Sequence, residues 1–263
     1  MPRLLRLLGY TTIVTGIASY GIHRKLTELE EKYPELPRST GSKALRTPQD
    51  PSTQHCAYAN IYAAQIPLAA LQARIPSTKN PTTTELENAW ARSVFGSRVL
   101  RAEGLLIGMF TNFSLSPCDT GDSDAGFSPY DNGASRLLLN GGLQVQRLPG
   151  ADEDSNGLLV SMRLPDGPRV FFETIAAWGY PWRLMTCVRH EMSVSVPFEM
   201  KGEKFVQVRF ATAHDYEIFD AEGGLEKQKL LPAWSMRLHR GFARYVLDST
   251  VEEVKQGIER TRS

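Results

Sequence analysis

The chain has 263 residues, with 30 basic and 29 acidic side chains for a net charge of +1, and 41% of its residues are hydrophobic. That is the composition of a folded domain long enough to bury a core. It lacks the basic stripe of a nucleic-acid binder, so no nucleic-acid partner is expected. Cys56, Cys118 and Cys187 stand 62 and 69 residues apart with no CxxC pair, which argues against a disulfide framework and a structural zinc site.

Residues 7–22 form an uncharged stretch of 16 residues, preceded by Arg3 and Arg6 and followed by His23, Arg24 and Lys25. A spanning helix usually needs about 20 apolar residues. We read residues 1–25 as a short membrane anchor, with the endoplasmic reticulum or another endomembrane favoured. An acid-free start also fits a mitochondrial presequence, and "ASYG" a cleaved signal peptide. Residues 26–54 begin as a short charged helix and continue with Pro34, Pro37, Pro48 and Pro51 among Ser, Thr and Gly, the composition of a linker. The folded domain is expected over 55–263.

Within it, 56–68 reads as a strand. Thr83 or Thr84 caps the next helix, with Glu85 and Glu87 in its first turn and Leu86, Trp90, Val94 and Phe95 on one face. Residues 99–113 read as a strand and 114–133 as a long polar loop. Asn112 heads a glycosylation triplet by pattern, expected at the strand end. From residue 134 the period is two. It predicts strands over 134–148 (broken at Gly141-Gly142), 157–164, 168–178, 182–196 and 204–214, with turn chemistry between them. The chain closes with a long helix whose apolar face runs through Trp234, Leu238, Phe242, Tyr245, Leu247, Val251, Val254 and Ile258. Gly241 in mid-helix marks a close approach to sheet or ligand.

The fold class is therefore α+β, with an antiparallel sheet of about six or seven strands packed on the C-terminal helix. This order resembles the helix-grip fold of the START/SRPBCC superfamily over about residues 55–260. The resemblance is one of topology, because that superfamily has no signature motif. Its members include lipid-transfer proteins, plant hormone receptors and aromatic polyketide cyclases. It implies a strongly curved sheet, a cavity between sheet and helix, and a hydrophobic small molecule as ligand.

Strand parity then sorts the stretch 182–196. His190 falls with Trp182, Leu184, Val188, Met192 and Val194 on the buried face, whereas Arg189 and Glu191 fall on the other, which reads as solvated. A histidine among apolar residues is either a satisfied core residue or the polar point of a cavity, able to act as acid or base. Glu103 and Glu173 alternate with apolar neighbours and are the candidate carboxylate partners. Trp182, Phe210, Trp234 and Tyr245 are candidate walls, and His214 and Arg101 candidate residues at the cavity ends. His239, between Arg237 and Arg240, reads as surface. The sequence contains no GxSxG, GxGxxG, P-loop or HExxH motif, and we expect no metal and no cofactor. The expectation for function is a membrane-tethered protein that acts by acid–base chemistry, of cyclase, dehydratase or isomerase type, on a polyketide- or terpenoid-like molecule. The alternative is non-catalytic binding or transfer of a lipid or other hydrophobic ligand.

Overall fold

The computed structural model describes residues 19–76, 80–110, 120–123, 125–151 and 157–262. Its centre is a curved, wholly antiparallel sheet of seven strands. The strands are β1 (Gln54–Pro67), β2 (Leu137–Leu138), β3 (Leu143–Arg147), β4 (Leu158–Arg163), β5 (Cys187–Val194), β6 (Phe198–Met200) and β7 (Glu203–Glu217). They lie in the order β1-β7-β5-β4-β3-β2, with β6 paired to one end of β7. The first and last strands are thus neighbours, with Tyr62 opposite Phe210 and Asn60 opposite Thr212.

Helices cover the inner face. They are α3 (Leu68–Gln72), α4 (Thr83–Gly96), α5 (Arg98–Phe110) and the C-terminal α7 (Ala233–Arg262). Thr82 and Glu85 cap α4 reciprocally, one residue earlier than the sequence pattern indicates. Leu86, Trp90, Val94 and Phe95 are buried as the periodicity predicts, and Trp90 Nε1 donates to the carbonyl of Arg209 at 2.9 Å. On α7, Leu247, Val251 and Val254 are buried as expected, but in the first turns the buried residues are Met236, Ala243 and Val246, so Trp234 and Tyr245 face outward.

Two expected strands are helices. In α5, Ser97 Oγ accepts from the Leu100 amide at 3.4 Å, Gly104 and Gly108 are buried, and the helix packs against α4 and α7. Over 166–177 the chain forms α6 (Asp166–Ala177). There Arg169 reaches Asp166 at 3.0 Å and Glu173 at 2.5 Å, the i,i+3 and i,i+4 pairs of a helix surface, and Pro168 sits in the first turn, where no amide is missed. The strand expected from 182 begins at Cys187.

Residues 26–54 are packed rather than free. A helix over 19–32, α1, lies along α7. Lys32 meets Asp248 at 2.6 Å and Arg237 holds Glu30 with two bonds of 2.9 Å. Gly241 has its close approach here: an added Cβ would stand 1.9 Å from Leu26 Cδ2. Residues 36–47, including the short helix α2 (Lys43–Arg46), lie over the outer face of the sheet, where Leu45, Ile61, Leu159, Ala211 and Ala213 form a second core. Most of the apolar stretch 7–22, together with Asn112 and Cys118, lies outside the described residues. Among the described residues no helix is long and apolar enough to cross a membrane.

Candidate functional site

Parity on β5 places Val188, His190, Met192 and Val194 on the inner face. His190 is flanked there by Val160 of β4 and Thr212 of β7, and its ring stacks on Phe210 with centroids 5.5 Å apart. Above these residues α5, α7 and the turn at Leu139 leave a cavity of about 170 Å³. Its walls are mostly apolar, among them Leu143, Met162, Met192 and Phe210, and its polar groups are Glu103, His190 and His239.

His214, fully buried on β7, lies directly behind His239, with ring centroids 4.6 Å apart. Among the described residues, Nδ1 of His190, both ring nitrogens of His214, Nε2 of His239 and Oγ1 of Thr212 are buried without a hydrogen-bond partner. Each such group costs on the order of 1–3 kcal/mol unless something satisfies it. The electrostatics follow from burial. Desolvation, helped by His239, pushes His190 down to about 3. Burial and then the two other histidines hold His214 well below the usual imidazole range, and burial and Arg240 lower His239. Burial alone raises Glu103 above the ordinary carboxylate value. The cavity near neutral pH thus presents uncharged imidazoles and a carboxyl group that burial makes a weaker acid than in water.

The structure brings His190, Glu103 and Phe210 together on one cavity, with His214 just behind it. Glu103 arrives from a helix turn, three residues after Leu100, and not from a strand. Glu173 is elsewhere, ion-paired with Arg169 on α6. Arg101 is exposed, 4.0 Å from Asp122 in a separate groove. Trp182 and Trp234 pack edge to face outside the cavity, and Tyr245 is on the outer side of α7. Their place in the wall is taken by Leu100, Phe242 and Val246. His239 is the residue that parity and composition miss. The spacing Met236, His239, Ala243, Val246 carries the signal, because it is a helical stripe with a histidine in it.

Arg189 and Glu191 point to the outer face, as parity requires, but they are buried. Arg189 binds Asp215 through two nitrogens at 2.9 and 2.5 Å and donates to the carbonyls of Ala44 and Thr47. Glu191 meets Arg147 at 3.0 Å and accepts from the amide and hydroxyl of Ser42. The segment 42–47 shields both from water. Among the described residues no group of three or more His, Cys, Asp or Glu side chains is placed to hold a metal ion.

No protein-family model, curated protein or solved structure matches this chain. The architecture, a curved antiparallel sheet closed by a C-terminal helix, is compatible with the helix-grip fold.

Proposed function

We propose that this chain is a helix-grip protein, tethered to a membrane through residues 7–22, that binds a small hydrophobic molecule in the cavity between β5, β7, α5 and α7. The observation that carries the reading is the set of orphaned imidazole atoms around an otherwise apolar cavity. A ligand with an apolar body and one or two hydrogen-bonding groups would satisfy them. Volume narrows the class. A cavity of about 170 Å³ is close to the ~150 Å³ that accommodates one benzene ring and below the ~300 Å³ of a typical drug-sized site. A single-ring or short-chain ligand fits it as it stands. A full polyketide or a large terpenoid requires α5 to move outward.

The chemistry this favours is proton transfer. Glu103, with its raised pKa, is the proton donor, and neutral His190 and His239 accept hydrogen bonds and orient the ligand. In a cyclisation, dehydration or isomerisation the substrate also loses a proton, and the Glu103 carboxylate left after donation would take it, so that the one group gives and recovers the proton. One observation favours the non-catalytic alternative of ligand binding or transfer: an imidazole held near 3 is a weak base at neutral pH.

Mass spectrometry of the molecule that co-purifies with the chain identifies the ligand. Glu103→Gln and His190→Gln are then compared for binding and turnover. Binding retained within a few-fold with turnover lost by about 10²-fold in Glu103→Gln supports catalysis. Unchanged turnover removes Glu103 from the mechanism. No ligand and no turnover, with exchange of a bound lipid between vesicles, supports transfer.

A further inference from the structure

Helices α1 and α7 run parallel. His23 Nδ1 is 2.8 Å from Arg237, and Lys32 is 2.6 Å from Asp248, so contacts advance together along both helices. The N-terminal end of α1 therefore lies beside the first turns of α7. It is at this end that the apolar stretch 7–22 joins the domain.

The same end is covered with exposed aromatic side chains. A row of ring contacts at 5.3–6.4 Å runs from Phe171 and Phe172 through Tyr180 and Trp182 to Trp234. Trp178 at the end of α6 is 82% exposed and Trp234 62% exposed. Tyr20 and Ile22 on α1 are also exposed. On α7 the apolar surface continues through Leu238, Phe242 and Tyr245. At about 100° per residue, Trp234, Leu238, Phe242 and Tyr245 fall within an arc of about 80°. Phe242 also lines the cavity.

We infer that this face, formed by the end of α6, residues 178–182 and the outer stripe of α7, lies in the headgroup region of a lipid bilayer. The inference rests on the reading of residues 7–22 as a membrane tether and adds the orientation of the domain. Lipid is the occupant the chemistry favours. Tryptophan and tyrosine gather where an apolar body meets a wet interface, and the tether, flanked by His23, Arg24 and Lys25, holds this end of the domain near any membrane it enters. A bilayer at this face meets the stripe that leads to Phe242, so a lipid-soluble ligand reaches the cavity without crossing water.

The test uses the full chain and phosphatidylcholine vesicles whose headgroups carry a nitroxide, a short-range quencher of tryptophan. Of the four tryptophans, Trp90 is fully buried. With Trp178 and Trp234 in the interface, roughly half of the emission is expected to be quenched, because those two rings sit at headgroup depth. The loss should fall to the share of half-buried Trp182 in the Trp178→Phe, Trp234→Phe variant, whose changes are at exposed sites, and disappear when Trp182→Phe is added. A chain that floats with the vesicles but shows no quenching overturns the face and leaves the tether reading intact. A chain that does not float overturns both. If sedimentation shows self-association without lipid, and it is this that shields Trp178 and Trp234 from a soluble quencher, the face belongs to a second copy and the inference fails.

Discussion

His190, His214 and His239 are uncharged in the folded chain, and burial is the leading reason for each. An unfolded chain restores the ordinary value of 6.5. For a base whose folded pKa is depressed, the stabilisation is complete above the unfolded value and is lost as pH falls toward the folded one. Unfolding free energy is therefore expected to drop from about pH 6.5 downward, by up to about 1.4 kcal/mol per pH unit for each histidine. For His190 the window extends to about 3. Glu103 has the opposite sign, because its raised pKa favours the folded state at low pH. Urea titrations at pH 7, 6 and 5 check the slope, and His190→Leu should remove one proton's share of it. A profile that His190→Leu leaves unchanged would show that this ring is not desolvated. At a second position the backbone decides. Gly157 has φ +78°, and an added Cβ would lie 1.8 Å from the carbonyl oxygen of Met192. Gly157→Ala is expected to cost more than about 3 kcal/mol, through both the left-handed backbone and displacement of β5. At Gly241 the obstacle is the tip of Leu26, a movable side chain. Gly241→Ala should cost about 1–3 kcal/mol from overpacking, and Leu26→Ala should recover part of it in a double-mutant cycle.

Among the elements, β5 carries the most information per residue. Its inner residues face the cavity and its outer residues hold the segment 42–47 through Arg189, Asp215, Glu191 and Arg147. Removing one charge leaves the other buried and unpaired. Arg189→Met is expected to cost about 3–5 kcal/mol, and Arg189→Met with Asp215→Leu clearly less. Chemical denaturation of the two variants decides this, and equal costs would mean that the pair does not act as a unit. The sequence was legible at this scale wherever one face is apolar and one is polar, as in β4, β7 and α4. It misled in α5 and α6. Residues 99–110 and 168–177 contain short apolar runs that fit either period. The helical signals there are small ones: the Ser97 cap, the Arg169–Glu173 spacing and Pro168 in the first turn. The outer side of β5 misled in another way. A charged residue opposite an apolar row usually faces water, and only a segment more than 140 residues away in sequence buries this one.

For the whole molecule, the sheet is covered on both faces. The inner cover comes from the helices and the outer cover from residues 36–47, part of the Pro-, Ser- and Thr-containing segment whose composition is that of a linker. Replacing 37–47 with a Gly/Ser chain of equal length removes Leu45, which is fully buried, and all the partners of Arg189 and Glu191 on that side. The expected loss exceeds about 3 kcal/mol, from lost apolar burial and exposed polar bonds, and a thermal melt reads it. An unchanged midpoint would make the segment a passive tether after all. By itself the sequence determined the α+β class, the antiparallel sheet, the long C-terminal helix and the inward direction of His190. These follow from periodicity, which is local. The tertiary structure alone decided that His239 meets His214, that Glu103 borders the cavity and Glu173 does not, and that Arg189 and Glu191 are buried. Those depend on which distant segment covers a face. Burial of a charge is a property of its neighbours in space, and periodicity along the chain does not carry it.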